Sequence, residues 1–104
     1  MVSTDEAAGL ANTSRVTINS WIKAGRCIGL TQTKRGLRVP KWQFEPSFWP
    51  HMEKLSEALG TTEGWALLAF LETPHGALGG ATPRAAIEQG RGKDVLEIAG
   101  FEGN

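Results

Sequence analysis

Three side chains of this sequence have the chemistry to attack a bond or hold a metal: Cys27, His51 and His75, the single cysteine and the two histidines. A nucleophile needs a base within hydrogen-bond reach, and a metal needs several ligands at fixed spacing. The chain offers no Cys-x-x-Cys pair, His-Glu-x-x-His helix, Gly-x-Ser-x-Gly elbow or phosphate-cradling glycine loop. His51 follows Pro50 where a helix should begin and His75 lies in a turn, so exposed capping or turn roles are expected of both. Cys27 beside Ile28 reads as a small buried residue. An enzyme, a cofactor and a metal are therefore not expected. The chemistry in good supply is recognition, because Arg15, Val16, Asn19, Ser20, Lys23 and Arg26 fall within one short stretch. An asparagine amide can pair with adenine through two hydrogen bonds, a valine methyl can meet the methyl of thymine, and arginine and lysine neutralise phosphates.

Those side chains need a helix to carry them, and the local signals provide one. Ser3 and Thr4 followed by Asp5 and Glu6 mark a helix start, with a hydroxyl to cap free amides and carboxylates at the positive end of the dipole. Asn12-Thr13 breaks that helix, and Ser14 caps a second one. From Ser14 to Ala24, Ile18, Trp21 and Ile22 form one apolar stripe, Val16, Asn19, Ser20 and Lys23 occupy the opposite face, and Gly25 supplies a left-handed stop. Two short helices across a tight turn make a helix-turn-helix, whose second helix can enter a major groove about 12 Å wide.

After Gly25 the period changes. Leu30-Thr31-Gln32-Thr33 and Leu37-Arg38-Val39 flank Lys34-Arg35-Gly36, which predicts a β-hairpin with a basic tip. Arg15, Arg26, Lys34, Arg35 and Arg38 are the expected phosphate contacts, and Val16, Asn19, Ser20 and Lys23 the expected base contacts. Pro40 ends the hairpin, and Trp21, Trp42 and Phe44 are expected in the core rather than at a ligand.

The runs from Val2 to Ala8, Thr13 to Arg26 and Arg38 to Phe44 together resemble the winged helix-turn-helix of MerR-like and excisionase-like DNA-binding domains. The resemblance implies that the helix containing Ser14, Arg15, Thr17 and Ile18 docks in the major groove and that the hairpin is the wing. Thr17 joins the expected DNA contacts on that basis.

Glu45-Pro46-Ser47-Phe48-Trp49-Pro50 reads as a stiff elbow, because each proline restricts its predecessor to extended geometry, and its two aromatics should pack rather than swing free. It divides the chain into a first part, residues 1–45, an elbow, 46–50, and a helical part, 51–104. In the last, Met52 to Leu59 is closed by Gly60, and Thr61 or Thr62 caps Glu63 to Glu72. Thr82-Pro83 starts Arg84 to Gln89, and Gly92 or Lys93 to Ala99 is ended by Gly100. The run from Trp65 to Leu71 is apolar all round and is expected to be the buried central helix.

Pro74, Leu78, Gly80, Thr82, Pro83, Ile87, Gly90, Val95 and Leu96 make residues 71–100 similar to the toxin-binding domain of the Xre/MbcA/ParS antitoxin family. That resemblance implies a RES-class toxin as partner, autorepression of the operon, and partner contacts at Pro74, Leu78, Gly80, Thr82, Pro83, Arg84 and, in the tail, Phe101.

Charge separates the halves. Residues 1–45 carry seven basic and three acidic side chains, residues 46–104 four basic and eight acidic, and the total is neutral. The basic half suits an anion such as DNA and the acidic half does not. No long apolar run predicts a membrane span, and one cysteine with no basic-then-apolar start fits the reducing cytoplasm. The sequence thus predicts a mainly α fold, a winged helix-turn-helix followed by a small helical bundle, acting as a DNA-binding antitoxin and homodimer on double-stranded DNA. An excisionase-like accessory factor and a protein-interaction adaptor without DNA binding are the alternatives.

Overall fold

A computed structural model describes residues 1–32 and 36–102. The chain is mainly helical, with six α-helices and one two-stranded antiparallel hairpin among the described residues. Helix α1 (Thr4–Leu10) starts on a complete capping box: the Ser3 hydroxyl accepts from the Glu6 amide while the Glu6 carboxylate accepts from the Ser3 amide. Asn12 turns the chain with a φ of 55°, a conformation that asparagine tolerates. Helix α2 (Arg15–Ala24) is capped by Ser14, whose Oγ accepts from the Thr17 amide, and stops at Gly25 in the left-handed region.

Strands β1 (Leu30–Gln32) and β2 (Gly36–Arg38) pair in the register Leu30 with Arg38, Thr31 with Leu37 and Gln32 with Gly36. Val2 adds a bridge to Val39, tying the start of the chain to the end of the hairpin. Short 3-10 turns at Lys41–Phe44 and Trp49–His51 carry the backbone into α3 (Met52–Leu59), α4 (Gly64–Glu72), α5 (Pro83–Glu88) and α6 (Gly92–Glu102).

Two apolar cores form. The smaller, between α1, α2 and the hairpin's end, holds Ala7, Ala8, Ile18, Cys27 and Val39, and Trp21, Phe44 and Trp49 pack on it. The larger holds Phe48, Met52, Leu55, Leu67, Leu71, Ile87 and Val95, and also Ile28 and Leu30. The root of the hairpin is therefore built into the helical part's core, so the boundary read at residues 46–50 is not a division of the packing. Each fully buried Leu, Ile or Phe contributes about 1.5–3 kcal/mol by removal from water. Phe48 is wholly buried and meets Trp42 edge to face, while Trp49 packs on Trp21 and Phe44, which makes the elbow a rigid joint.

Four local expectations are corrected. Helix α4 is not buried all round: Trp65 is 47% exposed, and Ala66 and Ala69 face solvent, because Leu67 and Leu71 alone of the Trp65–Leu71 run are fully buried in the core while Leu68 and Phe70 pack on it in part. Its cap is Glu63, whose two carboxylate oxygens accept from the Trp65 and Ala66 amides, while Thr61 accepts from the Glu63 amide one step earlier. Gly100 does not end α6, which runs on to Glu102, since a glycine in a helix loses stability without blocking the next turn. His51 is half-buried rather than exposed, its ring lying so close to Gly92 that no Cβ fits there, and it donates no side-chain cap to α3.

Candidate nucleic-acid interface

The two-helix unit orients α2 by its inner face. Ile18 is fully buried, Trp21 and Ile22 are half-buried beside it, and the helix end is clamped where Gly25 abuts Ser56 and Thr62 of the helical part. A side chain at Gly25 would have both a strained φ of 78° and a clash with Ser56, so this contact requires glycine.

The outer face consists of Val16, Asn19, Ser20 and Lys23, at i, i+3, i+4 and i+7, and all four are exposed. Val16 is 77% exposed, which leaves an isopropyl group standing in water between polar neighbours. Thr17 is half-buried and its hydroxyl lies 3.0 Å from Ser14 Oγ, so it reinforces the cap at the helix start. The structure thus brings the four expected base-contacting residues onto one accessible strip and sets Thr17 at its edge.

The expected phosphate contacts are less uniform. Arg15 is exposed and pairs loosely with Asp5, at 3.8 Å. Arg26 lies over the Trp21 ring at 5.6 Å from its centroid and pairs with Glu53 at 3.5 Å, so it is engaged within the chain. Both pairs are largely solvated and each contributes at most about 1 kcal/mol, little enough for a phosphate to displace the carboxylate. Arg38 is half-buried in β2, and its Nε is shielded from solvent with no hydrogen-bond partner among the described residues. Lys34 and Arg35, the basic hairpin tip of the sequence reading, lie outside the described residues.

A contact that sequence reasoning missed holds the hairpin at its angle to α2. Gln43 is fully buried; its Oε1 accepts from the Ile28 amide at 2.7 Å, and its Nε2 donates to the carbonyls of Ile28 at 3.0 Å and Pro40 at 3.1 Å. One side chain thereby supplies both partners that a neighbouring strand would give Ile28. From the other side, the Trp65 indole nitrogen donates to the Thr31 carbonyl at 3.3 Å, and Gly64 packs directly on the Gly29 carbonyl. A polar residue between two aromatics, Trp42 and Phe44, was the only trace of this in the sequence.

The residues singled out for partner binding scatter by burial. Leu78 and Pro83 are buried, Thr82 caps α5 by accepting from the Ala85 amide, and Arg84 pairs with Glu72 and Glu88 while lying 4.2 Å from the Trp42 ring centroid. Arg84 thus ties α4 to α5 and to Trp42, while Thr82 and Pro83 start α5 and Leu78 sits in the larger core. Pro74, Gly80 and Phe101 are exposed, Phe101 by 85%. His75 serves its turn, as expected, but half-buried rather than exposed, its Nδ1 accepting from the Ala77 amide and its Nε2 lying 3.5 Å from Glu102.

Burial pushes the Cys27 thiol up to about 12, which leaves it protonated and poorly nucleophilic. Among the described residues no three His, Cys, Asp or Glu side chains are arranged to hold a metal ion, and no helix is long and apolar enough to cross a membrane. Comparison of the chain with protein-family models, with curated proteins and with solved structures finds no match in any of the three.

Proposed function

We propose that this chain binds double-stranded DNA through α2 and acts as a repressor-type regulator, with its acidic helical part reserved for protein contacts. The observation that carries the reading is the strip of Val16, Asn19, Ser20 and Lys23, four exposed neighbours on a helix whose opposite face is anchored. A helix of this length spans about 15 Å and fits within a major groove, where an amide and an apolar methyl discriminate bases and a lysine adds charge. Arg15 at the start of α2 and Arg26 just beyond its end flank the strip, as phosphate-binding groups must if they are to set its depth in the groove.

The antitoxin form of the reading names a RES-class toxin as the partner of the helical part. It is supported by the resemblance of residues 71–100, and of the partner contacts that resemblance implies in this stretch, Pro74 and Gly80 are exposed. The test is selection of the full chain on a pool of random duplexes, with binding of the enriched sequence measured at several salt concentrations. A single enriched motif with affinity that falls steeply with salt is expected. A pool that stays random after repeated rounds would overturn the DNA reading, and a chain that selects a motif yet ignores RES toxins would overturn the antitoxin form alone.

A further inference from the structure

The end of α3, the outer face of α4 and the last turn of α6 enclose a groove of about 360 Å³. Leu59, Ala66, Ala69 and Phe70 give it an apolar floor, and Ala66 and Ala69 are open to solvent. Its rim carries His75 and Glu102, which lie against each other at 3.5 Å, so the carboxylate at the mouth already has a partner. One residue before Glu102 stands Phe101, 85% exposed and not among the residues that line the groove. Sitting on the same helical turn as the groove's wall, it is held outside the cavity beside it.

We propose that the groove is filled by Phe101 of a second copy of this chain, the two copies exchanging rings across a two-fold axis near the end of α6. A two-fold interface is self-complementary, so a ring and the groove it fills on the other copy must both lie on the one patch that each chain presents. Phe101 and the groove meet this condition through their adjacency at Glu102. Size permits it, because an apolar cavity of roughly 150 Å³ accepts a benzene ring and the groove, at about 360 Å³, is larger. A buried aromatic removes about 150–250 Å² from water, so two exchanged rings supply anchors for a concentration-dependent dimer. The inference rests on the protein-contact part of the proposed function and does not depend on DNA, which the experiment leaves out.

Sedimentation equilibrium of the full chain, without DNA, tests it over a wide range of concentration. A monomer–dimer equilibrium is expected; a strict monomer would overturn the proposal. Phe101→Ala and Ala69→Glu each alter an exposed position, so both variants should keep the parental melting temperature. Each should weaken the dimer by about thirtyfold or more. An equal mixture of the two restores one intact contact, since Phe101 of the Ala69→Glu chain can enter the unaltered groove of the Phe101→Ala chain. The mixture should therefore associate more tightly than either variant alone. A dimer that both substitutions leave unchanged, or a mixture no tighter than its components, would place the interface elsewhere.

Discussion

Gln43→Leu should destabilise the chain more than its size suggests. The substitution keeps an apolar body of similar volume but removes three hydrogen bonds, two of them to the backbone of Ile28, a residue with no exposed surface. The Ile28 amide then remains buried without a partner, and the Ile28 carbonyl keeps only the weak Cys27 thiol donor at 3.8 Å. Each orphaned group costs about 1–3 kcal/mol, so after the gain from a more apolar side chain the net loss is about 2–5 kcal/mol. Domains of this length have about 5–15 kcal/mol in total and lose roughly 4–8 °C of melting temperature per kcal/mol. Thermal unfolding followed by circular dichroism should accordingly show a fall of about 10 °C or more. Because Ile28 links the end of α2 to β1, the folded fraction should also show increased hydrogen exchange at the Ile28 amide. A variant with the parental melting temperature would mean that Gln43 does not brace the hairpin and that its angle to α2 is set elsewhere.

Gly64→Ala should cost about 1–3 kcal/mol, since a Cβ there runs into the Gly29 carbonyl, rigid backbone that cannot give way as a side-chain tip would; denaturant titration reads the loss. Trp65→Ala should cost less than the roughly 3–5 kcal/mol of truncating a buried ring, because nearly half of Trp65 is exposed, and the same titration beside Ile18→Ala would reveal a reversed order. Cys27 should resist thiol reagents until the chain unfolds. Its ordinary value of 9.0 is raised to about 12, so above pH 9 the unfolded chain loses a proton that the folded chain keeps. Stability should then fall with rising pH through that window, on the order of 1 kcal/mol per pH unit, and Cys27→Ala should abolish the slope in denaturant titrations.

Chemistry spanning three or four residues was legible in the sequence. Ser3 with Glu6, Ser14 with Thr17, Gly25, Gly60 and Thr82-Pro83 all start or stop helices as expected, because a cap is a contact between near neighbours. The exposed strip on α2 was legible for the same reason, as helical spacing alone puts Val16, Asn19, Ser20 and Lys23 on one face. Contacts across long separations were not. The bridge of Val2 to Val39 and the support of Ile28 by Gln43 join residues far apart in the first part, and the sinking of Ile28 and Leu30 into the helical part's core depends on where the elbow turns the chain. The exposed side of α4 was hidden by composition. Its apolar residues serve three places, the core, the Thr31 carbonyl and the groove, and a periodicity test sees one continuous apolar surface.

The most direct measurement on the proposed recognition surface is fluorescence anisotropy of the full chain on its selected duplex, repeated for Asn19→Ala and Lys23→Ala and for every single-base change in the site. Asn19→Ala should relax preference at one base pair by about 1–3 kcal/mol, while Lys23→Ala should lower affinity and reduce the salt slope by about one. Both variants should keep the parental melting temperature, since both side chains are exposed. If neither substitution changes affinity, base preference or salt dependence on a duplex the parent binds, then α2 is not the helix that reads DNA.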